Sequence, residues 1–391
     1  MKQEIALSIM APRADGIQPI LNRFESATGI HVKLRLLSWD SAWKEITHFS
    51  LHGGNPDISE IGSTWIGDLS GMSVLRPFAP NEVQRLKQTT NLFNLSWKSV
   101  TSQPDGVVWG IPWLAGSRLL YYRKQILTDV NISTMKGFSF QEFEKTIRTL
   151  HKKGVKIPWL APTGHTHTTL LHVASWVWAA GGDFISADQK SVRFMEPAAL
   201  NGMAAYFSLS RYLSPEVKHL NGLEPDEKFL ADPDAATVIS GPWLMMDAMK
   251  RKIDSAVGMA LLPGPSFVGG SSLVIWKNSP NVQDALTLAQ YLLQPEPQIQ
   301  YAGHVGLLPV REDVFSQEPY RSDAFWIIAS HSIRIGRSFP FSKSWGIIES
   351  HLADGFVAVW SDLLNNPDAT PLDILTTHLA PIAKEINNKL R

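Results

Sequence analysis

The chain has 391 residues, 36 basic and 36 acidic, for a formal net charge of +0 and no cysteine. That balance gives no global field to draw nucleic acid or an anionic membrane. The absence of thiols removes disulfide frameworks, thiolate zinc sites and cysteine nucleophiles together. At about 150 residues per domain the length calls for two lobes or two to three domains, and no apolar run approaches the ~18 residues of a bilayer span. The start, Met1-Lys-Gln-Glu-Ile-Ala-Leu-Ser-Ile-Met10, runs straight into a strand-like segment without an apolar h-region, so a mature domain behind a start Met is expected. The 14 tryptophans are the compositional signal with functional content, since an indole is a large rigid face suited to stacking, as well as to core packing.

In chain order, residues 5–10 read as a short apolar strand. Residues 14–28 carry Ile17, Ile20, Leu21 and Phe24 at helical spacing, stopped by Gly29, and residues 30–37 alternate as a second strand. Strand, helix, strand is the unit of a sheet with helices on its faces. A helix over 42–51, a turn at Gly53-Gly-Asn-Pro56, a strand over 57–61 and a loop at 62–64 repeat it. From Val107 the stretch V-V-W-G-I-P-W-L-A-G-S-R-L-L-Y-Y-R is extended and dense in aromatics, and it reads as a crossover into a second lobe. There, helices over 139–153, 168–180 and 197–213 and strands over 155–160 and 236–240 are expected. The Pro- and Gly-rich run L-L-P-G-P-S-F-V-G-G, 261–270, looks like a second crossover, followed by a strand over 273–276 and a helix over 282–293. The remainder reads as helices only, over 324–332, 345–364 and 371–389, and no fixed-period repeat is visible.

Eight short phrases occur in order: Pro56-Asp-Ile58, Gly71-Met-Ser-Val-Leu-Arg-Pro-Phe78, Gly110-Ile-Pro112, Leu120-Tyr-Tyr-Arg-Lys124, Gly181-Gly-Asp183, Ser240-Gly-Pro-Trp243, Leu262-Pro-Gly264 and Gly306-Leu-Leu-Pro-Val310. In this order and spacing, from about residue 4 to 385, the chain resembles the family 1 extracellular solute-binding proteins of ABC importers, the group that includes the maltose-binding protein. The resemblance implies an α/β, two-lobe periplasmic-binding-protein-like fold (type II), with hinge-connected lobes and a ligand cleft between them. The lobes are expected over 1–113 with 266–320, and over 114–265 with 321–391. It further implies a monomeric, extracytoplasmic receptor that closes on a small carbohydrate and delivers it to permease subunits in the membrane, with no cofactor and no metal. Two departures stand out. Tyr122-Arg123-Lys124 replaces the frequent Tyr-Asn-Lys, and the first strand ends in Ile9-Met10 where many members have Trp, so Arg13 and Asp15 become the candidates at that end.

Pro242 has the fixed φ that suits a helix start and Gly241 permits a sharp turn, so Trp243 is delivered at a helix start; in the family this Trp commonly stacks on a sugar ring. Thr64 and Trp65 fall where the maltose-binding group carries an Asp-Arg pair, a hydroxyl and an indole in place of two charges. Trp39 either lines the ligand site or staples its helix, with Asp40 beside it. Trp113 and Arg118 sit near the first crossover, and Arg118 is equally placed to pin the lobes by a salt bridge. In Gly164-His-Thr-His-Thr-Thr-Leu-Leu-His172, His165 and His167 offer ligand contact, a solvated loop or, least in keeping with zinc geometry, a metal site. Asp183 is either a hydroxyl acceptor or part of a helix end closed by Gly181-Gly182. Gly270 and Ser271 allow close backbone approach, and Arg311 and Trp345 complete the candidates.

No GxSxG elbow, P-loop, GxGxxG or HExxH is present. A glycoside hydrolase needs only two carboxylates about 5–10 Å apart and stays as the alternative from another class, beside a sensory binding protein on the same fold. Stacking from Trp65, Trp113 and Trp243, with hydrogen bonds from Asp40, Thr64, His165, His167 and Asp183, points to a neutral carbohydrate or glycoside.

Overall fold

The computed structural model describes residues 3–132 and 139–390, without the side chain of Asp40. The chain divides into two compact units: Met1–Gly116, Gly269–Trp326 and Ser338–Gly346 form the first, and Ser117–Val268, Ile327–Arg337 and Ile347–Arg391 the second. The segment 338–346, expected in the C-terminal lobe, belongs to the first unit.

Nine strands are described: β1 (Glu4–Met10), β2 (His31–Leu37), β3 (Ile58–Gly62), β4 (Ile111–Ser117), β5 (Leu119–Arg123), β6 (Thr237–Ser240), β7 (Val257–Ala260), β8 (Val268–Ile275) and β9 (Leu308–Pro309). The first unit is built on a six-stranded sheet in the order β2-β1-β3-β8-β4-β9. β1 runs parallel to β2, from Glu4 opposite His31 to Met10 opposite Leu37, and parallel to β3, while β8 returns antiparallel to β3. β3 is buried at all five positions, as a strand covered on both faces requires. Helix Gln18–Thr28 supplies Ile20, Leu21 and Phe24 to the core and ends at Gly29 with φ 75°, the left-handed closure that glycine accepts without strain.

The second unit has the antiparallel sheet β6-β5-β7 under a helical layer. Its core is aromatic: Trp159, Trp176, Tyr206 and Trp360 are all buried, and Trp176 lies edge-on to Tyr206 with centroids 5.2 Å apart. The strand expected over 155–160 is reduced to two parallel bridges, Ile157 to Ala235 and Leu160 to Val238. Pro158, which has no N–H to give a ladder, accounts for the break. The helix expected over 197–213 is α-helical only over Pro197–Phe207 and tightens to a 3₁₀ turn over Ser208–Tyr212, where the Ser208 hydroxyl bonds back to the Ala205 carbonyl. Helices Ile66–Gly71, Pro80–Thr89, Asn94–Ser99, Glu224–Ala231 and Pro295–Val305 are additions to the sequence reading.

Candidate functional site

Nine of the 14 tryptophans are buried, and among the described residues only Trp39, Trp43, Trp65, Trp109 and Trp243 are not. Burial thus separates indoles that fill cores from indoles that can meet a ligand.

In the second unit, β6 ends at Ser240, the chain turns through Gly241 and Pro242, and helix Trp243–Lys250 begins on the indole. The corner is held from below by Tyr121 on β5, whose hydroxyl donates to the Gly241 carbonyl at 2.8 Å. A side chain at Gly241 would put its Cβ 2.0 Å from the Trp243 ring, so the indole folds back over the bare Cα and only glycine leaves room. Its edge is fixed by Asp226, which accepts the indole N–H at 2.8 Å and the Ser240 hydroxyl at 2.6 Å on the same oxygen, Oδ2. The Arg118 guanidinium lies 4.9 Å from the ring centroid, within cation–π range. Burial raises the Asp226 carboxyl to about 6, against the pull of Ser240, Trp243 and Arg118. Burial likewise lowers Arg118 to about 10, opposed by Asp226 and Tyr121. Buried His172 is held well below its usual range by desolvation and then by Arg118, and neither ring nitrogen has a partner among the described residues.

His165 and His167 are exposed on the loop before helix Thr168–Ala179. His165 Nε2 lies 2.8 Å from Asp354, and His167 Nδ1 is 3.9 Å from Glu349. Among the described residues no group of three or more His, Asp or Glu is placed to hold a metal ion. Asp183 accepts from Arg337 at 2.9 Å, and the same guanidinium covers Trp178 at 4.8 Å. Its carboxylate therefore serves an ion pair within the second unit.

In the first unit, Trp65 sits at the head of helix Ile66–Gly71, directly after β3 and Thr64. Its ring meets Trp39 at 5.7 Å and Trp43 at 5.4 Å, both tilted. Trp39 is 46% exposed and begins helix Trp39–His52, so it does pack on a neighbouring ring while keeping an open face. Thr64 is half-buried and Arg13 is exposed in the loop after β1. The side chain of Asp40 lies outside the described residues.

Several candidates take different places. Trp113 is 1% exposed and stacked on Tyr301 at 4.9 Å and 14°, a core ring and not an open platform. Arg311 is buried, forks onto Asp313 at 2.9 and 2.5 Å and donates to the Leu293 carbonyl, so its donors are engaged in holding β9 and its turn. Gly270 has φ +131° and a Cβ there would lie 2.1 Å from the Leu114 carbonyl oxygen; the close neighbour it makes room for is β4. Ser271 is buried beside Glu60 on β3. Burial pushes the Glu60 carboxyl up to about 7, against the Ser271 hydroxyl and the Met10 N–H, which Glu60 accepts at 2.7 Å. Trp345 is buried and stacked on Phe339 at 4.2 Å, and its indole N–H has no acceptor among the described residues.

Sequence reasoning missed Asp226. The signals were present: Pro225 just inside a helix start, with Glu224, Asp226 and Glu227 in the first turn, is the composition of a helix N-terminus.

Two mixed α/β units, with polar and aromatic side chains gathered at strand-to-helix corners, define the periplasmic binding-protein class of fold. The match to bacterial extracellular solute-binding proteins covers residues 20–325, well over half of the chain, and the protein belongs to that family. The fold is shared with the sugar-binding protein MalE of Xanthomonas citri, at a TM-score of 0.84 and 21% identity over 99% of this chain and 98% of that one. It is equally shared with an ABC transporter solute-binding protein of Thermotoga lettingae bound with α-D-tagatose, at 0.81 and 21% over 100% of both chains. A protein of Brucella abortus (strain 2308) is 21% identical over 353 residues, covering 88% of this chain and 84% of that protein.

Proposed function

We propose that the protein is the substrate-binding component of an ABC transporter, which captures a neutral carbohydrate or glycoside by hinge closure and passes it to a membrane permease. The observation that carries this reading is Trp243, a half-buried indole at a helix start with its N–H tied to Asp226 and Arg118 against its ring. A ring fixed in this way is a pre-organised stacking surface, and ordering cost is what pre-organisation removes from binding. Trp39 and Trp65 supply a second aromatic surface in the first unit. Closure follows from ligand contacts that favour one conformation over another, since a ligand shifts an equilibrium only by its differential affinity. The family and the sugar-binding relatives of the same fold support the assignment. Action outside the cytoplasm, as a monomer, goes with it. No helix among the described residues is long and apolar enough to cross a membrane.

A thermal-shift screen over monosaccharides, oligosaccharides, polyols and glycosides tests the reading, with calorimetry on the strongest responder. At least one sugar raises the melting temperature, and Trp243→Ala weakens its binding by about 1–3 kcal/mol, taking base stacking as the analogue, while the fold survives. A screen in which only an unrelated class of compound stabilises the protein refutes the carbohydrate assignment.

A further inference from the structure

We infer that Asp226 is the positioning residue of the Trp243 platform, and that its ionised carboxylate fixes the plane on which the carbohydrate stacks. This rests on Trp243 being the stacking surface proposed above. The geometry is one carboxylate oxygen shared by two donors from different elements, the Ser240 hydroxyl at the end of β6 and the indole N–H at the start of helix Trp243–Lys250. A shared acceptor ties the two sides of the Gly241-Pro242 corner, so the indole cannot swing about χ1 or χ2 without breaking the bond. Gly241 beneath the ring and Arg118 against it limit the other directions. Asp226 itself is buried, on a helix that packs against β6.

Charge decides how strongly the tie holds. Hydrogen bonds to an ionised acceptor are roughly twice as strong as neutral ones. The charged and titratable groups facing Asp226 are Arg118, between β4 and β5, Tyr121 on β5, and Glu227 on its own helix, which is itself paired with Arg251 at 2.6 Å. Arg118 favours the ionised form and Glu227 opposes it, while burial holds the carboxyl near 6. At pH 7.5 the carboxylate is ionised and the indole is held; on acidification it takes up a proton and the hold slackens. Stability moves the other way. The folded value is raised above the ordinary 3.8, so the folded state binds the extra proton, and the stability linked to Asp226 is greatest at low pH and declines as pH rises through about 6. Asp226→Asn therefore weakens carbohydrate binding without lowering thermal stability at pH 7.5, a combination that a residue serving only the fold does not give.

Two measurements on the full chain decide it. The first uses no ligand: indole ¹H–¹⁵N spectra, in which the Trp243 resonance is the one absent from Trp243→Phe, are followed from pH 5 to 8. A shift centred near pH 6 in the wild type, abolished in Asp226→Asn, is the expected result. A Trp243 resonance that does not titrate, or titrates equally in Asp226→Asn, overturns the proposal. The second is calorimetry at pH 5 and 7.5 with D-tagatose, maltose and the panel sugar of largest thermal shift. Affinity is expected to fall roughly five- to ten-fold on acidification, to fall as much in Asp226→Asn at pH 7.5, and to show no further loss when Asp226→Asn is added to Trp243→Phe, which has no N–H to hold. Unchanged affinity in Asp226→Asn, or an undiminished loss in the Trp243→Phe background, also overturns it. If no carbohydrate binds, the assigned function fails, and the indole titration still decides whether Asp226 holds the ring.

Discussion

The two units each hold a glycine in close contact with a neighbour and a buried carboxylate that accepts an N–H, and use them for opposite purposes. In the first unit Gly270 presses on the backbone of β4, and Glu60 accepts a backbone N–H at the end of β1. In the second, Gly241 lies beneath the ring of Trp243, and Asp226 accepts from two side chains. Backbone against backbone fixes a sheet, whereas side chain against side chain fixes the orientation of one ring. The tryptophans follow the same division. Trp65 is steadied by two other rings, an arrangement tolerant of small shifts, while Trp243 is steadied by a directional hydrogen bond.

The sharpest way to break this contrast is to add one methyl group to each glycine. Gly270→Ala forces an L-residue to φ +131° and drives its Cβ against the Leu114 carbonyl. Strain at such a backbone position with overpacking should cost about 2–5 kcal/mol of stability, read by urea denaturation. Gly241→Ala meets the far edge of the Trp243 indole, a side chain that gives way only by breaking its bond to Asp226. It should cost no more than about 1–2 kcal/mol of stability while displacing the proposed stacking ring, so that calorimetry shows a larger loss in sugar affinity than denaturation shows in fold. Equal effects on both readouts at both sites would dissolve the distinction.

The carboxylates give the next largest effect. Burial raises Glu60 from 4.5 to about 7 in the folded protein, so the folded state holds a proton that the unfolded chain has released between those values. Stability linked to Glu60 is full below about pH 4.5 and declines as pH rises towards 7. At 1.36 kcal/mol per pH unit the whole effect is on the order of 3 kcal/mol. Denaturation at pH 5 and 7.5 should show the wild type losing stability with rising pH, and Glu60→Gln losing much less. A Glu60→Gln variant that retains the full wild-type slope would assign that slope to other groups, Asp68 among them, whose carboxyl burial raises to about 6.

The outline of this architecture was legible in the sequence because its signals are local. Hydrophobic period marks β1, β2 and the helices between them, and Gly29 and the Gly241-Pro242 corner are punctuation that a single chain segment carries by itself. The helix start at Trp243 was legible for the same reason. Trp113 was not, because its neighbour Tyr301 is 188 residues away in the chain and nothing local distinguishes a core indole from an open one. Asp226 lies only 17 residues before Trp243, yet the contact depends on how helix Glu224–Ala231 packs on β6, a tertiary fact. Arg311 shows the limit from the other side: Asp313 stands two residues on, a local partner that the sequence displays and that fork geometry turns into an ion pair.

The smallest expected effect lies at the His165 loop, and it sharpens the comparison by showing what an unpinned residue does. His165 pairs with Asp354 at 2.8 Å, but both side chains are mostly exposed, 61% and 65%. Water screens such a pair and the two side chains lose freedom in making it, so exposed ion pairs contribute about 0–1 kcal/mol. His165→Ala should shift stability by less than about 1 kcal/mol, and its effect on sugar affinity reads ligand contact directly because the fold hardly responds. A loss of binding well above that figure would bring the loop into contact with the ligand. An affinity equal to that of the wild type would leave His165 as a solvated partner of Asp354, an unpinned contrast to the ring that Asp226 holds.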